Sequence, residues 1–226
     1  MGDPTLPRIE PFEHHPARYE AWFERHRHAY LSELRAVEAL VPTEGTGVEI
    51  GVGTGRFAGP LGIRLGVEPS RAMAVAARRR GVRVLAGVAE ALPLAARCVD
   101  YAVMITTVCF VDDVGAAFAE AHRVLHPGGA LVVGLVDRTS ALGRAYEQSR
   151  SQNVFYEVAT FYSAKETTEH LMRAGFRDVT SVQTLFHRPT EMATVDPLEP
   201  GWGRGAFVVL RGAKAESHAE DDGYRR

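Results

Sequence analysis

The sequence is poor in cysteine and has no long apolar run. Among 226 residues only Cys98 and Cys109 are cysteine, without CxxC spacing. Two thiols cannot staple a disulfide scaffold, so a reducing cytoplasm is the expected compartment. No stretch approaches the roughly 20 apolar residues of a membrane-spanning helix, and Met1 to Arg8 lack the apolar centre of a signal peptide. An excess of one charge is also missing. Lys and Arg number 26 against 28 Asp and Glu, for a formal net charge of −2. That balance gives no electrostatic footprint for a nucleic acid. Neither Gly-x-Ser-x-Gly nor a phosphate-loop pattern occurs. His26 and His28 sit two apart in a helical pattern and so point to nearly opposite faces. With His14-His15 they make no convincing metal site, and none is expected.

What is present is enough for one core: 46% of residues are hydrophobic. The chain is organised around Gly47-Val48-Glu49-Ile50-Gly51-Val52-Gly53-Thr54-Gly55-Arg56-Phe57. Val48 and Ile50 suit a buried strand. Gly51, Gly53 and Gly55 permit left-handed backbone and let a ligand lie against the main chain. A helix after the turn would aim its free N–H groups at that ligand.

Residues 1–15 read as a loose arm. From 17 to 40, Tyr19, Trp22, Phe23, Tyr30, Leu31, Leu34, Val37 and Leu40 recur mostly at three- and four-residue steps, which predicts a helix or helix pair over the sheet. Tyr19, Trp22 and Tyr30 are candidates for core and for a substrate pocket. A short helix is expected over 57–62. Strands are expected over 63–67, 82–86, 99–105 and 130–136, with helices over 70–80 and 116–125 between them. Such alternation predicts a parallel, doubly wound sheet. Ligands then bind beyond the carboxyl ends of the strands. Segment 141–162 carries Tyr146, Phe155, Tyr156, Phe161 and Tyr162 and could cover that rim. A capping box, Ser163 with Glu166, opens a helix over 163–174. Strands over 179–186 and 206–210 flank a Pro- and Gly-rich loop, 187–205, long enough to suggest function or disorder. Residues 213–226 read as a frayed tail.

Two ligand classes use this architecture. A dinucleotide enzyme wants Gly-x-Gly-x-x-Gly, but Arg56 occupies the sixth place here and the third glycine comes one early. The chain instead carries Glu-x-Gly-x-Gly-x-Gly. Further blocks follow in order: Gly66-Val67-Glu68-Pro69-Ser70, Ala89-Glu90-Ala91-Leu92-Pro93, Val99-Asp100-Tyr101-Ala102-Val103, and Ala121-His122-Arg123-Val124-Leu125-His126-Pro127-Gly128-Gly129. With these blocks the chain resembles the class I S-adenosylmethionine-dependent methyltransferases. The resemblance is strong over 47–136 and looser elsewhere. Within that class it looks closest to small-molecule enzymes, some labelled histamine N-methyltransferase-like.

The resemblance implies a Rossmann-like, mostly parallel seven-stranded α/β sheet with an antiparallel last strand and an N-terminal helical cap. Residues 1–46 would be arm and cap helix, 47–212 the methyltransferase domain with a lid over 141–162, and 213–226 a flexible tail. The implied cofactor is S-adenosylmethionine, leaving as S-adenosylhomocysteine. Glu49, Gly51 and Gly53, with Thr54 and Gly55, would hold its methionine end. Glu68, followed by Pro69, would take the ribose diol. The backbone at Ala89 would meet adenine; relatives often have Asp where Val88 stands, and here its contact to the adenine amine would fall to Glu90, to a carbonyl or to water. Thr106 and Thr107 would line the methyl-donor cavity. The implied partner is a small-molecule acceptor methylated on N, O or S, and the assembly a monomer or homodimer. The competing readings are an NAD(P)-dependent oxidoreductase and a non-catalytic cofactor-binding protein.

In-line methyl transfer needs alignment of nucleophile and methyl above all. A base is needed only where the acceptor carries a proton. Candidates are Asp137 after the fifth strand, His187 at the mouth of the long loop, and Tyr146. Asp137 could instead cap the next helix. Cys109 and Phe110 lie beside the rim, Cys109 as a pocket-lining thiol. Arg78, Arg79, Arg80 and Arg83 form a local basic cluster, but at a helix end expected to face away from the rim.

Overall fold

The structure is a computed structural model and describes residues 8–216. Eight strands form one sheet in the order β3-β2-β1-β4-β5-β8-β6-β7. They are β1 (Gly47–Ile50), β2 (Leu65–Val67), β3 (Arg83–Leu85), β4 (Val99–Ile105), β5 (Leu125–Val136), β6 (Phe176–Thr184), β7 (Glu199–Pro200) and β8 (Phe207–Lys214). The first five are parallel to one another, and β8 runs antiparallel between β5 and β6. The expected seven strands are thus present. The eighth is β7, a two-residue piece of the long loop added to β6 at the sheet edge.

Alternation along the central strands divides two cores. Ala102 and Met104 of β4 pack with Phe118 and Ala121 of α5 (Val114–Val124) and Leu171 of α8 (Ala164–Arg173). Val103 and Ile105 face the other way, toward Phe23 of α2 (Pro16–Arg25), Ala36 and Val37 of α3 (Arg27–Glu38), and Ala77 of α4 (Arg71–Arg79). The period of two in the strand makes this division. The N-terminal helices therefore cover one face of the sheet.

Local signals set most helix starts. Ser70 Oγ accepts from the Met73 N–H at 3.2 Å and Asp113 Oδ1 from Ala116 at 3.0 Å. Both halves of the Ser163/Glu166 capping box form. Such caps contribute about 1 kcal/mol each.

Four expectations are corrected. Residues 57–62 form turns, because Pro60 has no N–H and Gly62 sits at φ +72°. Pro60 leaves the Arg56 carbonyl without its helical donor, and the Tyr30 hydroxyl supplies one at 2.6 Å. The arm is ordered from Arg8 onward and contains α1 (Glu10–His14). Glu13 of α1 accepts from Ser70 Oγ at 2.7 Å and from Ala72 N at 3.1 Å, which fastens α1 to the start of α4. The part of the arm over 1–7 lies outside the described residues. At the other end, 213–214 belong to β8, and Lys214 Nζ donates to the His122 and Leu125 carbonyls at the end of α5. The tail from 217 lies outside the described residues. The long loop is tied down as well: Asp196 accepts from Phe186 and His187 N–H, and its own N–H donates to Ser32 Oγ of α3.

Candidate active site

Two cavities meet at the carboxyl ends of the central strands. The first, about 100 Å³, lies on the glycine turn. Gly51 and Gly53 line it with φ of +69° and +53°. A Cβ on Gly51 would meet Thr107 Cγ2 at 2.4 Å, so this position has room for glycine alone. Glu68 directly follows β2 and is 7% exposed. Its Oε2 accepts from the Gly53 N–H at 2.8 Å and its Oε1 from Ser70 at 2.9 Å. Burial pushes its carboxyl up to about 7 against the pull of those two donors. Each oxygen keeps acceptor capacity toward the cavity.

Pro69, Ala89, Glu90, Thr106 and Thr107 line the same cavity. Glu90 also accepts from the Asp112 N–H at 2.7 Å, fixing the loop that carries it. Thr106 holds φ +50° where β4 ends, an uncommon backbone for a β-branched residue and one found at functional turns.

Three other expected cofactor residues support the turn without lining the cavity. Glu49 is 2% exposed beneath the turn, with Oε2 lacking a partner among the described residues. Burial holds its carboxyl well above the usual range. Thr54 is buried at 1% exposure. The ideal Cβ of Gly55 lies 3.2 Å from Ala77 Cα, so this glycine serves the packing of turn on α4. Arg56, in the place that breaks the dinucleotide pattern, pairs with Glu20 and Glu24 of α2 at 2.6 Å each. It clamps the N-terminal layer onto the turn.

The second cavity is larger, about 230 Å³, and aromatic. Tyr19, Trp22 and Phe23 come from α2, and Cys109 and Phe110 from the loop after β4. Tyr146 comes from α6 (Ala141–Gln148), Phe155 and Tyr156 from α7 (Val154–Glu157), and Phe161 and Tyr162 from the segment after it. Tyr146 stacks on Tyr156 with centroids 4.4 Å apart. Phe12 of α1, Tyr19, Thr106 and Phe110 line both cavities, so the two share a wall. Cys109 donates to the Thr106 carbonyl at 3.2 Å, and burial pushes its thiol up to about 12. It remains a neutral wall group.

Of the three candidate bases, only Tyr146 reaches a cavity. Asp137 is 2% exposed, and both its oxygens are engaged. Oδ1 accepts from the Thr139 N–H and hydroxyl at 2.7 Å, and Oδ2 from the Ala164 N–H at 3.2 Å. It joins the turn after β5 to the first residue of α8. His187 stands 68% exposed and pairs through Nδ1 with Asp196 Oδ1 at 2.8 Å, away from both cavities. Tyr30 is a core residue, since its hydroxyl completes the glycine turn and its ring packs on Phe23 and Phe57. The basic cluster is partly consumed internally: Arg78 donates to the Val84 carbonyl, and Arg80 to the Thr54 carbonyl and Glu20.

Three residues escape a linear reading. Arg8 bonds Val158 O and Thr160 Oγ1 at 3.0 Å and pairs with Asp112 at 3.0 Å, tying the arm to two other segments of the rim. Phe12 packs on Phe110 and Phe155 at centroid distances of 4.7 and 5.2 Å. Glu33 is a carboxyl in the aromatic cavity. One signal for Glu33 is visible: it falls three after Tyr30 and four before Val37, on the apolar stripe of its helix.

Residues 48–133 match the methyltransferase domain family. A solved structure from Thermotoga maritima, described as a SAM-dependent methyltransferase and "possible histamine N-methyltransferase", is 54% identical. It has a TM-score of 0.90 over 91% of this chain and 99% of that one. An uncharacterized protein of Methanocaldococcus jannaschii is 37% identical over 90% of this chain and 98% of its own. Another, from Mycobacterium tuberculosis, is 36% identical over 97% of this chain and 79% of its own. The glycine cradle and the Glu68 carboxylate fit a nucleoside cofactor, and the oxidoreductase reading gives way. With the domain match and the 54% identical structure in agreement, the chain belongs to the S-adenosylmethionine-dependent methyltransferases.

Proposed function

We propose that the enzyme methylates a small apolar or aromatic molecule seated in the second cavity, on N, O or S. The shared wall of Phe12, Tyr19, Thr106 and Phe110 carries this reading. A methyl donor in the glycine cavity and an acceptor among the aromatics would meet beside those four residues, where the two cavities adjoin. The donor, when bound, supplies a methyl group activated on a sulfonium.

The chain's own residues bind, orient and exclude water. Glu68 accepts hydroxyl hydrogens of the ribose on the lone pairs that Gly53 and Ser70 leave free. The glycine turn offers backbone to the polar tail. The aromatic wall keeps the reacting centre dry, and exclusion of water favours a reaction in which charge is neutralised. Ring faces add attraction for a cationic centre. Segment 141–162, with α1 and its Arg8 ties, acts as the cover of the acceptor side. Asp137 holds that cover's base in place and takes no proton from substrate.

The test is a turnover assay with methyl-labelled S-adenosylmethionine over pooled amines, phenols and thiols, read by mass spectrometry. Label should appear in a small molecule. Cofactor binding without label transfer to any pool would refute the reading.

A further inference from the structure

We infer that Glu33 is the acceptor-specificity residue, and that it recognises an acceptor carrying an ammonium group, distinct from the atom that takes the methyl, on an apolar or aromatic body. The inference rests on the assignment of the aromatic cavity to the acceptor. Glu33 is 4% exposed and lines that cavity. No hydrogen bond or ion pair to its carboxyl occurs among the described residues, and desolvation is the single influence on it. Burying a carboxyl without a partner is costly, so its place in a largely aromatic wall calls for a ligand that completes it. What surrounds it narrows the ligand. Trp22, Tyr146, Tyr156 and Phe161 line the cavity beside it, and aromatic rings attract a cation, most of all a desolvated one.

The groups facing Glu33 agree in sign. Tyr19 of α2, Tyr30 of α3, Tyr146 of α6 and Tyr156 of α7 all feel its charge, and burial holds each phenol above its ordinary value. They stay neutral at working pH. The Cys109 thiol, raised by burial, stays neutral as well. The cations on the lining are Arg18 and Arg25, both exposed at the surface, where water and salt screen them. A neutral acceptor would gain no ion pair from the carboxyl, and an anionic one would be repelled by its ionised form.

Burial pushes the Glu33 carboxyl up to about 8, so it is largely protonated at pH 7 before ligand arrives. An ammonium beside it favours the ionised form. Binding at pH 7 should therefore release a proton from the protein.

The experiment is calorimetry on the complex with S-adenosylhomocysteine. Phenethylamine, its ring-substituted analogues and the matching 2-phenylethanols are titrated in two buffers of different ionisation enthalpy at pH 7. The amines should bind about tenfold or more tightly than the alcohols, with release approaching one proton per site. In Glu33→Gln the preference and the proton release should both vanish, while affinity for S-adenosylhomocysteine stays within about twofold. Alcohols binding as well as amines, no binding by any amine, or an unchanged preference in Glu33→Gln would overturn the inference. Loss of homocysteine-cofactor binding by the wild type would instead strike the methyltransferase site itself. Folding is checked by melting: removing an unpartnered buried carboxyl should leave Glu33→Gln at least as stable as wild type without ligand, so loss of amine binding in a folded variant is read as loss of recognition.

Discussion

The two cavities differ in how the chain builds them. The glycine cavity is made of strand ends and turns, and its polar contacts are mostly main chain: Gly53 and Ser70 N–H on Glu68, and Asp112 N–H on Glu90. The aromatic cavity is made of side chains from α2, α3, α6, α7 and the loop after β4. The first depends on backbone conformations that few sequences allow. The second depends on surfaces that many sequences could fill. One fold can thus keep its methyl donor while changing its acceptor.

Four changes test that contrast. Glu68→Ala should cost about 1–3 kcal/mol in binding of S-adenosylhomocysteine, by unpairing the Gly53 and Ser70 N–H groups and the ribose. Calorimetry with unchanged affinity would remove Glu68 from the cofactor site. Asp137→Ala should act on stability, by about 2 kcal/mol, since it strands the Thr139 and Ala164 N–H groups. For a chain of this size that is roughly 4–8 °C in melting temperature. Turnover by the folded variant should persist, and a large selective loss of kcat would restore Asp137 as a catalytic group.

A smaller effect concerns pH. A carboxyl raised by folding stabilises the native state while protonated. Glu33 and Glu68, ordinarily near 4.5, sit at about 8 and about 7. Their contribution is full below about 4.5 and is lost as pH rises through 7 to 8. Without ligand, the wild-type melting temperature should fall over that window relative to Glu33→Gln. Parallel curves would show that Glu33 is not buried as described. His187→Ala should change stability by about 0.5 kcal/mol or less and leave turnover intact, since its side chain is 68% exposed. A melting shift or turnover loss well beyond that would place the long loop in the site.

The same contrast explains what could be read from sequence. Gly51, Gly53, Glu68 and the strand alternation were legible, because turn chemistry and strand burial act over a few residues. The caps at Ser70 and Ser163 were legible for the same reason. Tyr30 was ambiguous, since its role follows from the N–H that Pro60 lacks, 30 residues on. Asp137 and His187 sat at suggestive strand ends, yet tertiary partners, Ala164 and Asp196, claim them. Arg8 and Phe12 belong to an arm whose order comes from contacts about 100 to 150 residues away. Glu33 left a trace as a charge on an apolar stripe. Reading that trace required knowing that Tyr146 and Tyr156 lie opposite.

A division of labour between the two cavities is tested at a residue that lines one of them alone. Trp22 lines the aromatic cavity and not the glycine cavity. Its replacement by alanine is the most direct test, with cofactor affinity and acceptor kinetics measured on the same folded protein. A fall of about tenfold or more in kcat/KM for the acceptor is expected, with the Kd for S-adenosylhomocysteine within about twofold of wild type. Equal losses in both, or a loss confined to cofactor binding, would contradict that division.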